Sequence, residues 1–203
     1  MPAKIYKAFT MIRTSLRKNL VIAQQGFTMI ELLIVIAVLG ILAVAVLSAI
    51  NPIEQINRSR DTGNRSDSEQ LISAIDRYYA NNGFYPWTTG ASDTATALAW
   101  TKVNTAWKDS GGSTGVLGKL SQTGTEELKA SFIDRISGTT YNFLYAQNNG
   151  LQGSSTYVCF LPKSASFKTD AGTRCAGTLP TDYPSTPCAG AGGTPPVVYT
   201  CLP

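Results

Sequence analysis

The chain has 203 residues, a net charge of +4 and no histidine. That is enough for one modest domain with appendages, and it excludes His-dependent catalytic triads and His metal sites. Five of the 17 basic side chains (Lys4, Lys7, Arg13, Arg17, Lys18) and none of the 13 acids lie in residues 1–26. The 12 bases and 13 acids left nearly cancel, so a general nucleic-acid binder is excluded. A basic N-terminus of this kind stays in the cytoplasm while the remainder is exported.

Residues 32–50 follow without a charge. As a helix this stretch spans roughly 28 Å, close to the hydrocarbon core of a bilayer. Glu31 sits at its edge, where a carboxylate is costly. A secretory signal would have a shorter apolar core, and a plain single-pass anchor leaves Glu31 unexplained. Cleavage between Gly26 and Phe27 explains it. The new α-amino group is then a cation at a helix N-terminus, four residues from Glu31, and the carboxylate can meet it within one chain or between neighbours. An unpaired charge in an apolar setting is strongly disfavoured, so such pairs would set packed helices in register.

The stretch "GFTMIELLIVIAVLGILAVAV", residues 26–46, resembles the processing site and first helix of type IV pilins and pseudopilins. The resemblance implies a leader, residues 1–26, removed by a prepilin peptidase. It implies methylation of the new N-terminal Phe27 and neutralisation of its amine by Glu31 of an adjacent subunit. The implied partners are other pilin subunits, an inner-membrane assembly platform and membrane lipid. The implied location is the cytoplasmic membrane first, with the C-terminal domain outside, and then a cell-surface filament. No specific nucleic acid is indicated.

Residues 27–51 read as the transmembrane half of a long helix and residues 52–82 as its second half. Pro52 lacks a backbone donor and biases Asn51 away from helical geometry, so a kink is expected there. Gly40 and Pro52 bracket a stretch that could unwind, as in filaments of the family. In "NRSRDTGNRSDSEQ", residues 57–70, the pairs Asp61–Arg65 and Arg65–Glu69 are spaced for helical ion pairing. Leu71, Ile72, Ile75, Tyr78 and Tyr79 then return with helical spacing. "YYANNGFYP", residues 78–86, ends the helix at Asn82-Gly83 and Pro86. It also resembles the segment that closes this helix in major pseudopilins of type II secretion.

A globular domain is expected over residues 83–203. Residues 87–124 read as a mostly irregular connection, with a short helix over 94–108 possible. Trp87, Trp100 and Trp107 read as core cover rather than a sugar-stacking site. "GTEELKASFIDRISG", residues 124–138, reads as a helix capped by Thr125, with Glu126 and Glu127 in its first turn. Tyr141, Phe143 and Tyr145 then alternate as in a strand. "QNNGLQGSS" is a turn, "TYVCFLP" a second strand and "PVVYTCLP" a last one. The fold class is α+β: a long helix on a small antiparallel sheet with a disulfide-stapled end.

Cys159, Cys175, Cys188 and Cys201 all follow the apolar span, which points to two disulfides made outside the cytoplasm. Sequential pairing, Cys159–Cys175 and Cys188–Cys201, is favoured, each closing a short loop. Cys159–Cys201 stays open because both residues lie in expected strands. No metal site or cofactor is expected, calcium at Asp170 and Asp182 being the one candidate. Lys168 and Arg174 are candidates for touching phosphates, although two cations in a loop point first to solvated charge. Neither a P-loop nor a GxGxxG or GxSxG motif is present, so no enzyme is expected. The leading function is a structural subunit of a type IV pilus-like filament. The alternative is a membrane-anchored extracellular binding module that never polymerises.

Overall fold

A computed structural model of the chain describes residues 26–122, 126–138, 142–151, 153–190 and 197–203. The basic leader up to residue 25, the Thr125 cap and Tyr141 lie outside the described residues. The chain divides between Asn51 and Pro52 into two compact units.

In the first unit, helix α1 spans Met29–Ala49 and none of its residues is buried. Its side chains are almost all aliphatic, so the stability of the helix comes from its own backbone bonds and from whatever apolar medium surrounds it. The helix runs unbroken through Gly40. It stops at Ile50, which is extended at φ −106°, ψ 128°. Pro52 is the reason. It disfavours helical geometry just before it, yet it suits the first position of the next helix, where its missing N–H is no loss.

The second unit opens with helix α2, Pro52–Asn82. Its buried face changes character along its length. Asp61, Asn64, Asp67 and Ser68 are buried in its lower half, and Leu71, Ala74, Ile75 and Tyr78 in its upper half. The upper set repeats at three and four residues, the stripe a core-facing helix needs. Gly83 closes the helix at φ +77°, its N–H donating to Tyr79 O at 2.7 Å. Only glycine adopts that left-handed cap without strain.

Four strands, β1 (Leu98–Lys102), β2 (Leu144–Asn148), β3 (Tyr157–Phe160) and β4 (Thr200–Leu202), form one antiparallel sheet in that order. Leu98, Leu144, Ala146, Val158 and Phe160 join the α2 stripe in the main core. On the other face Trp100 stacks on Tyr145 at 5.1 Å, and Tyr199 meets both rings edge-on. The expected hairpin is therefore β2–β3, its turn held by Gly150 and Gly153 at positive φ. Strand β1 replaces the helix expected over 94–108, because a buried Leu98 and a β2 edge reward extended pairing more than helical spacing. Trp87 and Trp107 are 2% and 3% exposed, so they are core residues as expected. Trp87 stacks on Tyr85 at 4.4 Å and donates from Nε1 to Thr96 O.

A short helix α3, Val116–Leu120, fills the core edge. The helix expected over 124–138 is shorter, α4 at Ala130–Ser137, with Phe132, Ile133 and Ile136 buried. Glu127 lies before it rather than in its first turn, and takes Arg77 Nε of α2 at 2.5 Å and Asn81 Nδ2 at 3.2 Å. Helix α5, Ala165–Ala176, stands where a loop carrying Lys168 and Arg174 is expected. Asp170 is therefore helical.

The two disulfides are Cys159–Cys201 and Cys175–Cys188, so the sequential pairing is corrected. Cys159 and Cys201 are register partners on β3 and β4, with Cα atoms 4.0 Å apart. A strand pair brings its opposed side chains together regardless of how far apart they lie in the chain. Cys175, at the end of α5, is left to reach the 3₁₀ turn Thr186–Cys188.

Candidate functional site

The residues around Gly26, Phe27 and Glu31 form the N-terminal edge of α1. Gly26 and Phe27 are exposed ahead of the helix, Phe27 at 86%. Thr28 caps the helix and Glu31 answers it. Glu31 N–H donates to Thr28 Oγ1 at 3.3 Å, while Glu31 Oε2 accepts from Thr28 N–H at 2.8 Å and from Thr28 Oγ1 at 2.7 Å. This is a reciprocal capping box, which satisfies donors that a helix start otherwise leaves bare. The T-x-x-E spacing is its signature in the sequence, and a reading centred on charge pairing passes over it.

The box changes what Glu31 is. The carboxylate is not stranded in the uncut chain, because one of its oxygens already serves the helix start. Both contacts fall on Oε2, which leaves Oε1 to face a further donor such as an amine. Beyond the box, α1 is long and apolar enough to cross a membrane. The N-terminal edge thus combines an exposed Gly-Phe bond, a held carboxylate and a membrane-grade helix.

The other singled-out residues have structural work. Arg174 Nη1 donates to Cys201 O at 2.7 Å, tying α5 to β4, so it is not free for phosphates. Lys168 lines an apolar recess with Leu161 and Val197. Asp182 accepts from Ser155 N–H at 2.8 Å and Tyr157 Oη at 3.0 Å. The Ser155 bond, more than the Tyr157 one, holds its carboxyl below the usual range. No group of three or more Cys, Asp or Glu able to hold a metal occurs among the described residues.

Two acids of α2 act where helical ion pairs are expected. Arg65–Glu69 forms at 3.3 Å. Asp61, fully buried, turns instead to the start of α5, where it accepts from Ser164 N–H and Oγ, each at 2.7 Å, and from Lys163 N–H. Glu54 Oε1 takes Ala165 N–H at 2.7 Å. Carboxylates at a helix N-terminus satisfy its free donors and its dipole.

Residues 22–47 match the prokaryotic N-terminal methylation motif. The chain is also 26% identical over 159 residues to the fimbrial protein EcpC of Eikenella corrodens, covering 78% of this chain and 96% of that protein. No solved structure matches it significantly.

Proposed function

We propose that this chain is a prepilin of the type IV pilin family, a subunit of a type IV pilus-like filament that polymerises through α1. The observation that carries the reading is the motif at residues 22–47 seated on a fully exposed apolar helix whose first turn holds Glu31. Cleavage after Gly26 by a prepilin peptidase creates the Phe27 amine, which is then methylated. Thr28 keeps Oε2 of Glu31 turned toward the helix start, and Oε1 accepts the Phe27 amine of the adjacent subunit. Before assembly α1 spans the cytoplasmic membrane, with residues 52–203 outside. An assembly platform in that membrane draws the subunit from the lipid into the filament. There α1 exchanges lipid for neighbouring helices, which accounts for an apolar surface that nothing covers among the described residues. The stretch between Gly40 and Pro52 is where α1 would loosen on packing.

Replacing Glu31 by Ala tests this. The variant should be processed and membrane-bound as the parent is, yet yield no filaments under electron microscopy. Normal filaments from Glu31→Ala would contradict the charge-pair mechanism. A parent protein that is never processed would instead favour a membrane-anchored binding module.

A further inference from the structure

A polar recess of about 390 Å³ lies against the lower half of α2, and none of its lining residues takes part in the processing or charge pairing proposed above. Its lining includes Arg60, Asn64 and Asp67 of α2, Arg135 of α4, and Lys163 just before α5. Asn64 is only 3% exposed, and its Nδ2 has no hydrogen-bond partner among the described residues. A buried amide donor left without a partner is costly and calls for an acceptor. Asp67 does not supply one. It is 2% exposed and takes Arg135 Nη1 at 2.7 Å, so its charge is already met.

Two cations remain. Arg60 and Lys163 have exposed side chains, and neither is in an ion pair among the described residues. The recess therefore offers a net positive lining, a planar guanidinium fork, an exposed ammonium and, in its lining, a residue with a buried neutral N–H donor. This set of donors, with Asp67 cancelled by Arg135, suits a compact oxyanion and repels a cation. Phosphate fits it best, since guanidinium and ammonium groups bind its oxygens through charge-assisted bonds.

We propose that the recess lined by Arg60, Asn64 and Lys163 binds a phosphate-class oxyanion, with Asn64 Nδ2 as the buried donor. The group is either free inorganic phosphate or the phosphate of an anionic lipid headgroup.

The test follows the Asn64 side-chain amide by ¹⁵N NMR in the full chain. The first arm titrates inorganic phosphate into protein in maltoside micelles, with chloride at matched ionic strength as control. The second transfers the protein without free phosphate into phosphatidylglycerol nanodiscs. A saturable shift with phosphate identifies the free ion, and a shift only in the nanodiscs identifies the headgroup; either supports the proposal. Arg60→Gln and Lys163→Gln, alone and together, should each weaken the response about tenfold per cation removed. Both side chains are exposed, so the singles should keep the parent's circular dichroism and can be read even if the double does not. No shift in either arm, an equal shift with chloride, or full response in the variants would overturn the proposal.

Discussion

Glu31 and Asp61 are both acids in places that do not invite charge, and both are explained by helix starts. Glu31 closes a capping box with Thr28 at the head of α1. Asp61 caps a helix 103 residues away, through Ser164. The first carries a local signature, T-x-x-E, which a reading centred on charge pairing passes over. The second has none, because a carboxylate that caps a distant helix carries no local spacing, and Asp61–Arg65 offered a plausible pair at four residues. Asp61→Ala should destabilise the folded domain by about 2–4 kcal/mol, since it strips acceptors from buried donors at Lys163 and Ser164. Urea unfolding of the full chain in detergent, followed by tryptophan fluorescence, measures this. An unchanged midpoint would mean that water replaces the carboxylate.

Acid should weaken the same domain. Lys119 Nζ, 2.9 Å from Asp109, is the main cause that holds the Asp109 carboxyl below its usual range. The Ser110 hydroxyl does most to lower Asp93, and Ser155 N–H most to lower Asp182. For a carboxyl whose pKa is lower folded than unfolded, the stabilisation is fully present above the unfolded value near about 4. It is lost as pH falls through the folded values. Thermal midpoints should hold from pH 7 to 5 and drop below pH 4, with a smaller drop in Asp109→Asn. A midpoint independent of pH down to 2 would contradict these assignments.

At the level of elements, the legible parts are those with a strong period. The apolar stripe of upper α2 stands where the sequence places it, and β2 and β3 form the expected hairpin, but β2 starts only at Leu144, buries Leu144, Ala146 and Asn148 rather than the aromatic set, and β3 is buried at all four residues. Strand β1 and helix α5 do not announce themselves. β1 takes its pairing from a partner 50 residues on, Leu98 opposite Asn148. Helix α5 buries only Ala171, so no apolar stripe marks it. It is held instead by the Ser164 cap, Asp61, Glu54 and the Cys175–Cys188 bridge. The disulfides follow the same logic, strand register overriding nearness in sequence. Non-reducing peptide mapping should recover Cys159 with Cys201 and Cys175 with Cys188. In the chain-entropy account the first bridge, closing 42 residues, is worth about 4 kcal/mol, and the second, closing 13, about 3 kcal/mol. Cys159→Ala/Cys201→Ala should therefore lower the unfolding midpoint more than Cys175→Ala/Cys188→Ala. The reverse order would mean that α5 depends on its bridge more than β4 does on its own.

At the scale of the whole molecule, the chain joins a membrane-grade helix with no buried residue to a disulfide-stapled α+β unit with a closed core. The two ask for different surroundings, and the filament reading supplies both: lipid or neighbouring helices for α1, water for the rest. That division was legible from charge and hydropathy alone, since it rests on composition rather than on long-range contacts. The working protein should begin at Phe27, because the Glu31 pairing needs an amine that the uncut chain lacks. The intact mass of the protein purified from the cell envelope tests this most directly. A mass matching a chain that starts at Phe27 and carries one added methyl group is expected. A chain retaining Met1, or one beginning near Ile50, would contradict it.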